Sequence, residues 1–270
     1  MNPQYDAIGS KYSLFKTLPL SIAERQNFKD AVQPYLARLS KPRVLDLACG
    51  TGYYSHKLLE WGAHSVVGVD LSSGMVDAAN ATLSEEDKST GRLRFQVGDA
   101  LHLGSSAAGD EGPFDIVTGV WLLNYAGSLA EVVQMFSSIA GSLRDGGVFV
   151  GIMPHPVEDL DPFAARVQAS ERANPHPFGV GINYYERLPS GEGWRTEISG
   201  HGPDGSVVSF KNFHLRRSVF EDGARQGGMR GKLEWKEVRI PQEAVETYGE
   251  ELEKYYFAIG PHMGVLVVKK

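Results

Sequence analysis

The sequence predicts an α/β protein built on a doubly wound, mostly parallel sheet, and three features carry that expectation. Five short apolar segments, RVLDL (43–47), SVVGVD (65–70), LRFQV (93–97), FDIVTGV (114–120) and VFVGIM (148–153), read as buried strands. Segments with helical spacing separate most of them, and such alternation buries a parallel sheet on both faces. The first strand runs straight into Ala48-Cys49-Gly50-Thr51-Gly52, a glycine turn that hands the chain to a helix.

Taken in order, the chain first shows a helix from Ser21 to Leu39, where Ile22, Phe28, Val32 and Leu36 recur on one face. The helix after the glycine turn runs to about Trp61. Ser72 is placed to cap the helix after the second strand, which carries Met75, Ala79 and Leu83 inward. Between the fourth and fifth strands, Ser128 and Glu131 form a capping box. Leu129, Val132, Val133, Phe136, Ile139, Ala140 and Leu143 then follow helical spacing until Asp145-Gly146-Gly147 stops the helix. After Met153 the rhythm breaks. Six prolines between Pro154 and Pro189 crowd a segment with strand-like pieces around Tyr184, Trp194 and Val207–Phe213. Residues 154–214 therefore read as an insertion, a cap placed after the fifth strand. A second box, Ser218 and Glu221, opens a short helix ending at Gly227-Gly228. Lys232–Ile240 and Met263–Lys269 read as two closing strands.

At 270 residues the chain suits one domain with one sizeable insertion. Its net charge of −6 gives no general attraction to nucleic acid or anionic membranes, so neither is an expected partner. Cys49 is the lone cysteine, which rules out an internal disulfide or a multi-cysteine metal site. The eight histidines show no H-x-x-x-H spacing, and no metal is expected. No apolar run approaches a membrane span, and the amino terminus lacks a secretory core. A cytoplasmic protein, monomeric or homodimeric, is the expectation.

A glycine turn between strand and helix brings backbone N–H groups close to a ligand. The dinucleotide pattern G-x-G-x-x-G fails here, because Ser55 stands where the third glycine belongs. Asp46 also lies in the loop region, where its charge would repel a pyrophosphate and attract a cationic amino group. Val44-Leu45-Asp46-Leu47-Ala48-Cys49-Gly50-Thr51-Gly52 resembles the first motif of class I S-adenosylmethionine-dependent methyltransferases. The resemblance runs from about Pro42 to Met153 and implies a Rossmann-like sheet with S-adenosyl-L-methionine as cofactor. It implies that Asp46, Ala48, Gly50 and Gly52 form the cofactor loop. It likewise implies that Asp70 takes the ribose hydroxyls, Leu71 lies beside the adenine, and Asp99-Ala100 meet the adenine amino group. Met75 and Val120, with Tyr5 and Tyr12 of the amino-terminal segment, complete the cofactor set. Read singly, Asp70 is equally a helix cap and Asp99 a turn former.

Methyl transfer is an in-line displacement that depends on holding donor and acceptor aligned. Trp121, Asn124 and Tyr125 follow the fourth strand and are candidates to face the methyl group; Trp121 is equally a core residue. The family's Asn-Pro-Pro-Tyr signature is absent, which disfavours nucleic-acid bases and protein amides. Tyr5, Ile8 and Tyr12 share a helical face, so residues 1–40 resemble the amino-terminal lid of small-molecule members; a plain capping helix is the alternative. In the insertion, His155, Tyr184 and Tyr185 are acceptor-pocket candidates, although such aromatics also build a cap's own core. The layout of the insertion is similar to toxoflavin-synthase-like N-methyltransferases. The resulting expectation is methylation of a small molecule, with a heterocyclic nitrogen of a secondary metabolite leading and oxygen or sulfur close behind. A non-catalytic cofactor-binding regulator is the reading from a different class, and a nicotinamide oxidoreductase is disfavoured by Asp46 and Ser55.

Overall fold

In the computed structural model, which describes residues 4–103, 113–258 and 261–270, the five expected strands share one sheet. Arg43–Leu47 (β1), Ser65–Asp70 (β2), Leu93–Val97 (β3), Phe114–Val120 (β4) and Leu143–Pro154 (β5) run parallel in the order β3-β2-β1-β4-β5. Val180–Arg187 (β6), Gly193–His201 (β7) and Val207–Leu215 (β8) form a separate antiparallel sheet. Leu233–Lys236 (β9) and Met263–Lys269 (β10) return to the large sheet, where β10 pairs antiparallel with both β5 and β9.

The described helices are Gln4–Ile8 (α1), Leu20–Leu36 (α2), Tyr53–Glu60 (α3), Ser73–Ala81 (α4), Glu85–Thr90 (α5), Leu129–Ser142 (α6), Leu160–Ala173 (α7), Arg217–Gln226 (α8), Gln242–Tyr248 (α9) and Glu250–Ala258 (α10). A 3-10 segment, Gly9–Lys16, extends α1. Successive strand residues point to opposite faces, so Val44 and Val66 join Phe28 and Val32 of α2 in one core. Leu45 and Val67 instead meet Phe136 and Ile139 of α6 in the other. Both faces are covered over the inner strands, which is why these read as mostly apolar runs, whereas the edge strand β3 alternates and exposes Arg94 and Val97.

Several local expectations are corrected. The helix α6 ends at Ser142, and Leu143 is already extended (φ −84°, ψ 140°). Asp145-Gly146-Gly147 therefore lies within β5, where Gly146 (φ +74°) accommodates a register shift against β4. The box at Ser128 is half formed. Its hydroxyl accepts from the Glu131 N–H at 3.3 Å, but the Glu131 carboxylate takes the Gly127 N–H at 2.6 Å. The second box does not form, because α8 begins at Arg217 and places Ser218 inside its first turn. The Ser218 hydroxyl donates to Glu158 (2.8 Å), while Glu221 accepts from the Trp235 indole (2.8 Å).

The closing strand expected over 232–240 stops at Lys236. Beyond it the Asn27 amide takes both backbone groups of Arg239, accepting from its N–H at 2.9 Å and donating to its carbonyl at 2.6 Å. Residues 154–214 hold an unforeseen helix, α7, whose Pro162 sits in the first turn, where a missing N–H costs nothing. Phe163, Ala164 and Val167 of α7 bury Tyr184 of β6 in a third, smaller core.

Candidate functional site

The strand order reverses between β1 and β4, and open α/β sheets bind ligands at the carboxyl ends of strands beside such a reversal. A cleft of about 390 Å³ lies there. The turn after β1 holds Ala48 (φ +55°), Gly50 (φ +55°) and Gly52 (φ +86°) in the left-handed region. A Cβ on Gly50 would meet nothing within 4 Å, so its missing side chain opens the loop towards the cleft. Gly52 serves packing instead. It stands at the start of α3, away from the cleft wall, and a Cβ there would lie 2.6 Å from the Phe95 ring.

Asp70, at the end of β2, faces the cleft while its carboxylate fixes the loop. One oxygen accepts from the Gly50 N–H (2.8 Å) and the other from the Ser72 N–H (2.9 Å). Burial raises its pKa. Leu71 is exposed on the rim, and Met75 is buried in the wall. Ala48, Asp99, Ala100 and Val120 also line the cleft. Asp99 accepts from the Leu101 N–H (2.9 Å) and from His102 Nδ1 (3.1 Å), which fixes the turn after β3.

Asp46 is set apart from these residues. It is buried beneath the loop, away from the cleft wall, and accepts from the Ser55 hydroxyl (2.6 Å) and the Thr118 hydroxyl (2.8 Å). Burial pushes its pKa up to about 6. Ser55 thus replaces a third glycine because its hydroxyl is needed on Asp46. The cleft carries Asp70, Asp99 and Glu131, and among the described residues no lysine or arginine lines it.

A second cavity, about 120 Å³, lies between the large sheet, the small sheet and the amino-terminal segment. Tyr12 and Trp121 line both cavities and form the partition. Trp121 adopts φ +60°, unusual for a bulky residue. Two bonds hold it: its N–H donates to the Ile152 carbonyl (2.8 Å), and its indole donates to Glu24 (2.6 Å). The Glu24 carboxylate also accepts from the Tyr54 hydroxyl (2.6 Å) and pairs with Lys16. These partners outweigh desolvation, the largest effect, and hold its pKa below the ordinary value.

The amino-terminal tyrosines converge on this partition. Tyr5 packs edge-on against Tyr12 and Tyr125, and its hydroxyl meets that of Tyr125. Gln4 pairs with both backbone groups of Lys211 in β8 (3.0 and 2.9 Å), while the Ser72 hydroxyl donates to Asp6 (2.6 Å). The segment therefore bridges the small sheet and the cleft. Residues 1–3 of the expected lid lie outside the described residues.

Asn124 and Tyr184 line the chamber. Tyr184 donates to His214 Nδ1 (2.6 Å), because the opposite nitrogen, Nε2–H, donates to the His155 carbonyl (2.7 Å). His155 itself is corrected, because it does not line the chamber: its carbonyl accepts from His214, and its ring stacks on Phe163 at 5.9 Å. Tyr185 is corrected as well. Strand alternation turns it outward beneath the Lys211 ammonium, and it lines neither cavity.

Glu24, Lys16, His214 and His262 line the chamber without having been singled out in the sequence. A signal existed for Glu24, which lies four residues before Phe28 on the buried stripe of α2, so a carboxylate interrupts an apolar face. Among the described residues no cluster of three or more His, Cys, Asp or Glu is placed to hold a metal, and no helix is long and apolar enough to cross a membrane.

The seven-stranded order with its antiparallel β10 and the acidic cleft at the β1 turn define the class I S-adenosylmethionine-dependent methyltransferase fold. The comparisons agree. Residues 44–147 match the family described as a methyltransferase domain. The demethylmenaquinone methyltransferase of Clavibacter sepedonicus is 35% identical over 118 residues, 44% of each chain. The chain spans about half the length, or less, of the curated relatives it matches most strongly. An S-adenosylmethionine-dependent methyltransferase from Mesorhizobium loti superposes with a TM-score of 0.53 at 17% identity, covering 89% of this chain and 98% of that one. CalS10 from Micromonospora echinaspora, an amino pentose methyltransferase with S-adenosylmethionine bound, gives 0.51 at 17% identity over 91% and 89% of the two chains. Residues 44–147 thus resemble a methyltransferase domain, and the chain carries the class I fold.

Proposed function

We propose that the protein transfers a methyl group from S-adenosylmethionine to a small molecule held in the chamber, with nitrogen as the leading acceptor atom. The observation that carries this is the contact between a chamber and an acidic cleft, lined by no lysine or arginine among the described residues, across Tyr12 and Trp121. The cleft fits the cofactor: Gly50 leaves the loop open, and Asp70, Asp99 and Glu131 suit a cationic ligand. A dinucleotide would set two phosphate charges against those carboxylates. Bound there, the cofactor supplies a methyl group on cationic sulfur. The chain's own contribution is alignment and the exclusion of water, through Trp121 fixed by Glu24 and the tyrosines packed over the partition.

Nitrogen is favoured by the lack of a ready base. Burial pushes His214 and His262 down to about 4, and Glu24 is occupied by Lys16, Tyr54 and Trp121. A heterocyclic nitrogen brings its own lone pair and needs no prior deprotonation. The small sheet with α7 acts as the acceptor cap, and residues 4–16 act as a lid.

The test is twofold. Melting temperature is measured with S-adenosylmethionine and with NAD separately, and only the first should raise it. Labelled S-adenosylmethionine is then incubated with a metabolite extract, and mass spectrometry should find a labelled small molecule. Stabilisation by NAD would refute the cofactor reading. Cofactor binding with no labelled product from any extract would favour the non-catalytic regulator.

A further inference from the structure

Several polar side chains of the chamber pair among themselves, but Asn124, His262 and Tyr256 hold buried polar atoms with no protein partner. Thr196 bonds Asn212, Tyr184 bonds His214, and Lys16 bonds Glu24. Asn124 is fully buried, yet neither its amide oxygen nor its amide nitrogen has a partner in the protein. It follows β4 in the short turn Leu123–Tyr125, flanked by buried Leu122, Leu123 and Ala126, so an apolar residue of the same size would satisfy the local packing. Buried amides are almost always bonded, and one left unpaired on a cavity wall calls for a ligand. His262, which precedes β10, adds two further ring nitrogens shielded from solvent and without protein partners on the same chamber.

Charge narrows the ligand further. Lys16 and Glu24 are the ionised side chains among the described lining residues, and they neutralise each other. The two lining histidines are held neutral by burial. A charged acceptor would enter with no counter-charge to meet it. Size narrows it again. The chamber of about 120 Å³ is comparable with the ~150 Å³ cavity that accepts one benzene, so it admits a single six-membered ring while the segment stays as it is.

Resting on the small-molecule methyltransferase reading, we infer that the chamber selects uncharged ring compounds whose edge presents a hydrogen-bond donor beside an acceptor. Lactams and N–H heterocycles next to a carbonyl are this class. The Asn124 amide reads that edge with its own donor and acceptor, and the His262 imidazole completes the polar wall. Asn124 is thus a specificity-determining residue whose retention lowers the stability of the fold.

The test titrates three ring probes into the protein saturated with S-adenosylhomocysteine, followed by ligand-observed NMR. 2-Pyridone carries the donor–acceptor edge, fluorobenzene is an apolar counterpart of similar size, and benzoate is the anion. 2-Pyridone should bind at least tenfold more tightly than either of the others. Asn124→Leu should reverse the preference in favour of fluorobenzene and should melt at a higher temperature than the native protein. The inference is overturned if fluorobenzene binds native protein as well as 2-pyridone does, or if Asn124→Leu leaves 2-pyridone binding unchanged. It is also overturned if Asn124→Leu melts lower or fails to fold, because the amide is then structural. Binding of S-adenosylhomocysteine is measured first by calorimetry. Its failure would refute the cofactor reading, and the same probes titrated into free protein would still decide the selectivity of the chamber.

Discussion

Asp46→Asn should make the protein more stable above pH 6. Asp46 is buried under the glycine loop with two hydroxyl donors, and burial raises its pKa from 3.8 to about 6. The sign follows from linkage. The folded state binds this proton more readily than the unfolded chain does, so ionisation of Asp46 opposes folding. The penalty is absent below about pH 4, grows as pH rises, and is complete above about pH 6. A rise of roughly two pH units, at ~1.36 kcal/mol each, amounts to about 3 kcal/mol. Asparagine keeps the shape, still accepts from Thr118, and can donate to the Ser55 hydroxyl. Urea denaturation at pH 8 should therefore show Asp46→Asn more stable by up to about 3 kcal/mol, with the gain vanishing near pH 4. A variant less stable than native at pH 8 would refute the reasoning.

Other expectations concern the loop and the segment above it. Asp70→Ala removes a charged acceptor from the cleft and should weaken cofactor binding by roughly 1.5–3 kcal/mol, about ten- to 150-fold, in a calorimetric titration; unchanged affinity would take Asp70 out of the site. Gly50→Val should abolish binding with a stability loss of only about 1–3 kcal/mol from its left-handed backbone. Gly52→Val should lower the melting temperature much further, because its side chain collides with Phe95; equal melting of the two variants would contradict the packing role assigned to Gly52. Amide exchange across residues 4–16 should slow when S-adenosylhomocysteine is added, since Tyr5 and Tyr12 line the cleft. Equal exchange with and without ligand would make the segment fixed packing.

What the sequence revealed follows the range of the interactions involved. The inner parallel strands were legible because burial on both faces writes mostly apolar runs, the edge strand β3 by its alternation, and the Ser72 cap because its partner, Met75, is three residues away. Asp70, Asp99 and Val120 were legible because strand ends fall at predictable places in an alternating chain. The failures lie where a local pattern is claimed by a distant partner. Ser218 has the spacing of a capping box, but Glu158, 60 residues earlier, takes its hydroxyl. Lys232–Ile240 has the alternation of a strand, but Asn27 captures its end from 212 residues away. Pro162 read as a breaker because its position in a first turn depends on where the helix begins.

The partition between the cavities was the least legible part, and the reason is physical. Trp121 stood out as an aromatic after a strand, yet what fixes it is Glu24, 97 residues away on another element. Glu24 in turn is tolerable inside the protein only because Lys16, Tyr54 and Trp121 arrive from three further places. An acidic residue on the buried stripe of α2 announces that such partners must exist without naming them. The same logic separates Asn124 from its neighbours: its sequence context is plainly apolar, and its amide acquires meaning only beside the chamber, with no protein group left to bond. Buried polar groups that conflict with their local pattern are therefore where this sequence points to function, and the cavity they face determines which function they can serve.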